Sequence, residues 1–551
     1  MHLRPLSVLF SALAVAACAG PPQPAPSATA AVAVAQQLDS APAPAEADAS
    51  PAAAAITVSR ARAFRAPLAA AIEAYRNGDN PAMLARAREA AALAPQHPRP
   101  QLVLAVALAR SQHSAEAVAT LERVAERGMH ADLNLDPALA ALAASVADGH
   151  GNAKPGGTGD ASGDREAVAA AIARLQTKLA ALAAPIGASE LAFTLPDTDL
   201  LAESVAYDAS SGAFLISSVH QRKIVRRDRD GSITDFTRPP GASTDDDIWG
   251  ILGLAIHGDR VWACTAAVPE MRGYVADAHE GKSALLGLSL ATGEVVTRVE
   301  APDDGQPHSF GDLLVDSRGA VYVADSRSGA IYLLPAGGDT LDTLVEPGQL
   351  RSPQGLVLVD DDSTLLVADY GFGIARVTLD RQPAAPADAA PDPGTTAPPG
   401  QPRDHTVATS ITYLPITAPP QISDDRSGST SAPATEGDAE RAAHPQPFLV
   451  GIDGLVAYRG DLLAIQNGLT PHRILRLTLS RDHTAITRVT PVVMNHPRFD
   501  EPTVGVVVAN NPEHDLPAGF YYVANSQWGA FGPRAPEGAT RAPPAILRYR
   551  P

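Results

Sequence analysis

Val321-Tyr-Val-Ala-Asp-Ser-Arg-Ser-Gly-Ala-Ile-Tyr-Leu-Leu334 reads as a strand, a polar turn over Asp325 to Gly329, and a second strand returning beside the first. Alternating apolar residues bounded by a Gly/Asp/Ser cluster are the hairpin signal. The unit recurs. Leu365-Leu-Val-Ala-Asp-Tyr-Gly-Phe-Gly-Ile-Ala-Arg-Val-Thr-Leu379 repeats it with Asp369 in the place of Asp325. Phe214-Leu-Ile-Ser-Ser, Val261-Trp-Ala-Cys-Thr, Leu462-Leu-Ala-Ile-Gln-Asn and Phe520-Tyr-Tyr-Val-Ala-Asn are shorter variants. The closest pair is offset by about 44 residues, the period of four-stranded propeller blades. One such unit cannot bury its apolar faces alone, so stacked copies must share a core.

Working outward, six units fall at 203–236, 251–299, 312–345, 355–414, 454–493 and 504–549. The last lacks a fourth strand, which 190–195 can supply, closing the ring and removing exposed sheet edges. An insertion rich in Pro, Ala, Asp and Ser over 380–447 interrupts the fourth unit and is expected to be disordered, with 410–414 as the candidate missing strand. The expected class is therefore multidomain, a small all-α helical-repeat module followed by an all-β six-bladed β-propeller over 190–551.

The module precedes the ring. Over 56–148 apolar residues take helical spacing, with Leu68, Ile72 and Tyr75 on one helix and Leu84, Ala87 and Ala91 on the next. A Gly-Asp-Asn-Pro turn (Gly78 to Pro81) parts them. Ala70, Tyr75, Gly78, Asp79, Ala91, Leu93 and Pro95 resemble a tetratricopeptide repeat of about 34 residues; an ordinary helical bundle is the alternative. Such repeats would offer a face to a protein partner. A flexible joint is expected over 149–164 and a connecting helix over 165–189.

At the N-terminus a basic start and a short apolar run, too short to span a bilayer, fit an export signal over 1–18. Val15-Ala-Ala-Cys18 resembles the lipobox of bacterial lipoproteins, which implies lipidation at Cys18 and anchoring to the membrane. Ala19 after the Cys favours the outer membrane, facing the periplasm. Residues 19–55, rich in Pro and Ala, are expected to be a disordered tether. With 551 residues and a net charge of -18, the chain lacks the basic surface a nucleic-acid partner needs. Cys264 is the only other cysteine and reads as a small buried hydrophobe.

The segments Leu201-Ala-Glu203-Ser-Val-Ala-Tyr-Asp, Phe310-Gly-Asp312-Leu-Leu-Val-Asp, Ser352-Pro-Gln354-Gly-Leu and Gly451-Ile-Asp453-Gly-Leu each lead into the innermost strand of a blade. Here the chain resembles the senescence-marker-protein/gluconolactonase/luciferin-regenerating-enzyme group of six-bladed propellers. That resemblance implies a divalent cation (Ca, Mg or Mn) held by a Glu, an Asn and an Asp, and a lactone or ester as substrate. Glu203 matches the Glu and Asp453 the Asp. Gln354 stands where the group has Asn, and Gly311-Asp312 where it has Asn-Asp. Glu203, Asp312, Gln354 and Asp453 are thus the candidate cation ligands, with Glu501 at the same mouth. His220 and His308 are the candidate proton carriers, ahead of His472 and His496. Asp325, Asp369, Asn467 and Asn525 end second strands, where polar residues more often fix a turn. Two functions remain open: an envelope lipoprotein that binds a ligand or partner through its propeller and helices, and a divalent-metal-dependent lactone or ester hydrolase.

Overall fold

The structure, a computed structural model, describes residues 56–144, 161–237, 248–382, 405–417, 447–510, 514 and 516–550. Cys18 with the export signal, the tether over 19–55, most of the 149–164 joint, and 383–404 and 418–446 of the insertion lie outside the described residues.

Strands β1 (Ile56–Thr57) and β2 (Ser189–Thr194) precede six successive groups of strands. The first is β3 (Ala202–Asp208), β4 (Ala213–Ser218), β5 (Lys223–Arg227) and β6 (Ile233–Asp235). The second is β7 (Gly250–His257), β8 (Arg260–Ala266), β9 (Ser283–Ser289) and β10 (Val295–Glu300). The third is β11 (Phe310–Val315), β12 (Val321–Asp325), β13 (Ala330–Leu334) and β14 (Asp342–Val345). The fourth is β15 (Pro353–Val359), β16 (Thr364–Asp369), β17 (Gly373–Gln382) and β18 (His405–Tyr413). The fifth is β19 (Ile452–Tyr458), β20 (Asp461–Gln466), β21 (Arg473–Leu479) and β22 (Ile486–Met494). The sixth is β23 (Gly505–Val508), β24 (Gly519–Val523) and β25 (Ala545–Tyr549), completed by β2 in the order β2-β25-β24-β23.

Each group is an antiparallel sheet, and the first strands pack side by side: β3 on β7, β7 on β11, β11 on β15, β15 on β19, β19 on β23, and β23 back on β3. That closed ring is the propeller arrangement. The opening hairpin shows why it holds. Both β12 and β13 are buried along their whole length. Val321 and Val323 face a core shared with Cys264 and Leu285 of the second blade, whereas Tyr322 and Ala324 face one shared with Leu365 and Val367 of the fourth. Alternation here distributes side chains between two neighbouring blades, each buried apolar chain contributing roughly 1.5–3 kcal/mol.

Two details differ from the sequence expectation. The 380–447 insertion is not wholly unstructured: β17 runs on to Gln382 and pairs with β18 from Gln382↔His405 to Ala375↔Tyr413. Its alternating Thr, Val and Ile residues sustain a long hairpin. Ile56 and Thr57, expected in the helical module, instead pair with Tyr413 and Thr412 as a fifth strand that covers this blade's outer edge.

The helices that precede the propeller are α1 (Val58–Arg62), α2 (Arg65–Arg76), α3 (Asn80–Leu93), α4 (Pro98–Arg110), α5 (Ser114–Glu126), α6 (Pro137–Ala144) and α7 (Ala161–Leu182). The turn before α3 follows from its residues. Gly78 takes φ +71°, and Asp79 caps α3 by accepting the Ala82 N–H at 3.0 Å. Ala71, Ala87, Val106, Leu121, Ile172 and Leu175 form one core, so the connecting helix α7 packs on the module. No described helix is long and apolar enough to cross a membrane.

The module is bolted to blades four and five. Arg473, fully buried, donates from Nε to Gln466 Oε1 and from Nη1 to the Gly128 carbonyl, each at 2.5 Å. The His130 N–H donates to the Thr470 carbonyl at 2.7 Å, and His97 Nε2 lies 3.0 Å from the Gly371 carbonyl. Asn495 Nδ2 donates to the Leu182 carbonyl at 2.5 Å.

Candidate functional site: acids at the propeller mouth

Every inner strand from β3 to β19 carries the same irregularity. The pairing slips by one residue between Ala202 and Val205, Ile251 and Leu254, Phe310 and Asp312, Pro353 and Leu356, and Ile452 and Leu455. Such bulges leave a residue outside the ladder and re-aim its side chain. In register, the first bulge position holds Glu203, Leu252, Gly311, Gln354 and Asp453. The second holds Ser204, Gly253, Asp312, Gly355 and Gly454. The glycines are sterically required. A Cβ on Gly355 would lie 2.4 Å from the Leu455 nitrogen, and one on Gly454 would lie 2.9 Å from the Thr503 carbonyl oxygen.

Asp312 therefore sits one place out of step with Glu203 and Asp453. Its Oδ1 accepts the N–H of Leu313 at 2.8 Å and lies against Gly253, where a Cβ would come within 2.7 Å of it. Gln354 donates from Nε2 to Ser352 Oγ at 3.1 Å, and its Oε1 lies over Gly311, 3.3 Å from where a Cβ would stand. Gly311 and Gln354 thus compensate each other: the longer amide occupies the space that the missing side chain leaves.

Glu203 and Asp312 are buried, Asp453 and Glu501 partly so. Desolvation drives the Glu203 carboxyl well above the usual range, and the charges of Asp453, Glu501 and Asp312 drive it further, against one hydrogen bond from Trp528. Burial pushes Asp312 up to about 7, with Asp453 adding to it. Asp453 rises to about 6 through burial and Glu501, opposed by Asn467. Burial raises Glu501 as well. The four acids therefore form one electrostatic unit.

Three side chains that the sequence did not single out as site residues complete it. Trp528 Nε1 donates to Glu203 Oε2 at 2.8 Å. Asn467 Nδ2 donates to Asp453 Oδ2 at 2.6 Å, and Tyr370 donates its hydroxyl to Asn467 Oδ1 at 3.1 Å. Asn467 was expected to fix a turn; it steadies an acid. The signal was Asn467-Gly468, since only a glycine at 468 lets the Tyr370 hydroxyl approach to 2.5 Å of a would-be Cβ.

The histidines are placed otherwise. Both nitrogens of His308 are taken by carboxylates, Nδ1 at 2.6 Å from Asp325 Oδ2 and Nε2 at 3.1 Å from Asp304 Oδ1. His220 Nδ1 lies 2.5 Å from the Glu270 carbonyl, with Nε2 3.7 Å from Asp199 Oδ2. Each ties its own loops together, and none of these contacts reaches Glu203, Asp312, Asp453 or Glu501. Asp325 and Asp369 do fix turns. Asp325 Oδ1 accepts the N–H groups of Ser309, Arg327 and Ser328; Asp369 accepts those of Arg351, Ser352 and Gly371 and the Tyr413 hydroxyl.

The oxygen donors of Glu203, Gln354 and Asp453 suit Ca²⁺, Mg²⁺ or Mn²⁺ in kind. Among the described residues no group of three or more His, Cys, Asp or Glu is placed to hold a metal ion. Asp312 spends an oxygen on Leu313, and Gln354 is drawn toward Ser352.

No known family's sequence profile and no curated protein matches this chain. Among solved structures, a gluconolactonase from Xanthomonas campestris is similar over 67% of this chain and 92% of its own, at 15% identity and a TM-score of 0.37. A calcium-binding protein, regucalcin, from Agrobacterium tumefaciens is similar over 66% of this chain and 93% of its own, at 14% identity and a TM-score of 0.39. A luciferin-regenerating enzyme is similar over 66% and 95%, at 12% identity and a TM-score of 0.36. Likeness this remote transfers neither substrate nor residue role, and what the site does rests on its own chemistry.

Proposed function

We propose that the mouth of the propeller hydrolyses a lactone or small carboxylic ester, with Glu203 and Asp453 as the reacting pair. The observation that carries this reading is that Glu203 and Asp453 hold equivalent bulge positions on β3 and β19, each steadied by one side-chain donor, Trp528 Nε1 and Asn467 Nδ2, while burial and neighbouring charge raise both carboxyls. Two raised acids that share a proton give one site both a proton donor and a base. Glu203, steadied by Trp528, keeps its proton and delivers it to the departing oxygen. Asp453, steadied by Asn467, takes a proton from the attacking water. No step is assigned to a cation.

The test is hydrolysis of a panel of sugar and aliphatic lactones from pH 4 to 9. The expected profile of kcat/KM rises through about pH 6 as Asp453 ionises, and Glu203→Gln or Asp453→Asn each lowers it by about 10²–10⁴-fold. Unchanged activity in both variants would sink the reading. So would activity that vanishes with chelator and returns with Ca, Mg or Mn while showing no limb near pH 6.

The lipid anchor and outer-membrane placement belong with this proposal, as does a protein partner for the helices. Cys18→Ser is expected to move the chain from the membrane fraction to the soluble one. A variant that stays membrane-bound would remove the anchor.

A further inference from the structure

A cavity of about 480 Å³ lies between the helical module and blades four and five. Phe64, Phe372, Tyr413, Leu414 and Leu449 make its walls chiefly apolar, and Arg60 and Arg127 bring positive charge. No described Asp or Glu lines it, although acids outnumber bases in the chain as a whole, 61 to 43. The remaining titratable wall groups are His97 and Tyr413. Burial pushes His97 down to about 4, so its ring, lying 3.0 Å from the Gly371 carbonyl, is neutral. The Tyr413 hydroxyl donates to Asp369.

Arg127 is the unusual member. Its Nε is buried and has no hydrogen-bond partner among the described residues. Its guanidinium stacks over the Phe448 ring at 4.4 Å, which orients the plane without satisfying Nε. Arg127 is half-buried, and a guanidinium nitrogen shut off from water gains from an anion that meets it. The strongest complement is a carboxylate, which Arg binds through short charge-assisted bonds. The volume is in the range of small-molecule sites, and an apolar wall with a few convergent polar groups is their usual build.

We propose that this cavity binds a free single-chain carboxylate, its head on Arg127 and its alkyl chain along Phe64, Phe372 and Leu449. The site is separate from the acid cluster and does not depend on the hydrolytic reading. Arg127 supplies the selectivity: an alcohol of equal length would bury the same apolar surface yet leave the guanidinium unpaired.

Titration calorimetry of the full chain at pH 8 with dodecanoate, below its micellar concentration, tests this directly. One molecule is expected to bind per chain, at least tenfold more tightly than dodecan-1-ol. Arg127→Gln should abolish that preference. Because the substitution also removes the stacking on Phe448, Ala94→Trp serves as a second variant. It fills the cavity beside Phe64 and Phe372, leaves Arg127 intact, and should block dodecanoate while circular dichroism and melting stay as in the parent. Equal affinity for acid and alcohol would overturn the proposal, as would unaltered dodecanoate binding in either variant. Binding to anionic phospholipid vesicles but not to free dodecanoate would replace it with a membrane-surface role.

Discussion

Asp312→Asn is expected to stabilise the propeller at pH 8 by on the order of 3–4 kcal/mol, and to do nothing at pH 3.5. The ordinary carboxyl of an Asp ionises at 3.8, but burial lifts that of Asp312 to about 7. A raised carboxyl favours the protonated folded state. Below pH 3.8 it carries its proton folded and unfolded alike and contributes nothing. As the pH climbs from there to about 7, the unfolded chain ionises first and the folded chain is penalised, up to about 1.4 kcal/mol for each pH unit of that window. Asn keeps the oxygen that accepts the Leu313 N–H, so the hydrogen bond survives and only the charge disappears. Urea unfolding of both proteins at the two pH values reads the difference. A cation bound among the acids would reverse the sign, because ionised Asp312 would then be an asset. A destabilised Asp312→Asn at pH 8 would therefore establish an occupied metal site in place of a self-repelling acid cluster.

Asp325→Ala should cost about 3–5 kcal/mol. The side chain is fully buried and accepts N–H bonds from Ser309, Arg327 and Ser328 at 2.9, 3.0 and 3.1 Å as well as the 2.6 Å contact with His308. Truncation strands three backbone donors and an imidazole in a dry place, and each stranded group carries its own desolvation penalty. Asp325→Asn, which keeps an acceptor but loses the charge, should cost roughly a third as much. The pH dependence has two limbs. Burial alone would raise Asp325, but His308 and the backbone donors hold it below its usual value, so its contribution is lost as the medium turns acid. Burial alone would lower His308, but Asp325 and Asp304 hold it above its usual value, so its contribution fades as the pH rises from about 6.5 through that raised level. The clasp is tightest between about pH 4 and 6.5, the two unfolded values. Equal unfolding midpoints for parent and Asp325→Ala would show that blade three does not depend on it.

The hairpin repeat was legible because it is written in local terms. Turn acids, β-branched residues and period two recur at fixed spacing, and nothing distant has to be known. The acids were legible for a related reason, since Gln354 and Asp453 stand before glycines that the bulges require. Their partners were not. Trp528 comes from a loop of blade six, 325 positions from Glu203, and Tyr370 lies 97 positions from Asn467. An isolated Trp or Tyr in a strand-rich chain reads as core. His308 misled by proximity: it stands four residues before Asp312, but the fold turns it back across the hairpin to Asp325. Ile56 and Thr57 were invisible as a strand because two residues carry no period.

The pairing of β2 with β25 has a consequence for how the molecule is made. Glu190, at one end of the seam, is joined by the guanidinium of Arg548, 358 positions later. During synthesis β2 leaves the ribosome early and has to wait, unpaired, until the last strand of all emerges. Until then the nascent ring is an open stack with a raw edge at each end, which is the kind of surface that invites pairing with the wrong chain. A chain interrupted before Ala545 would lose more than one strand. It would leave β2 without its partner and β24 with a bare flank, so the damage would fall on both sides of the gap.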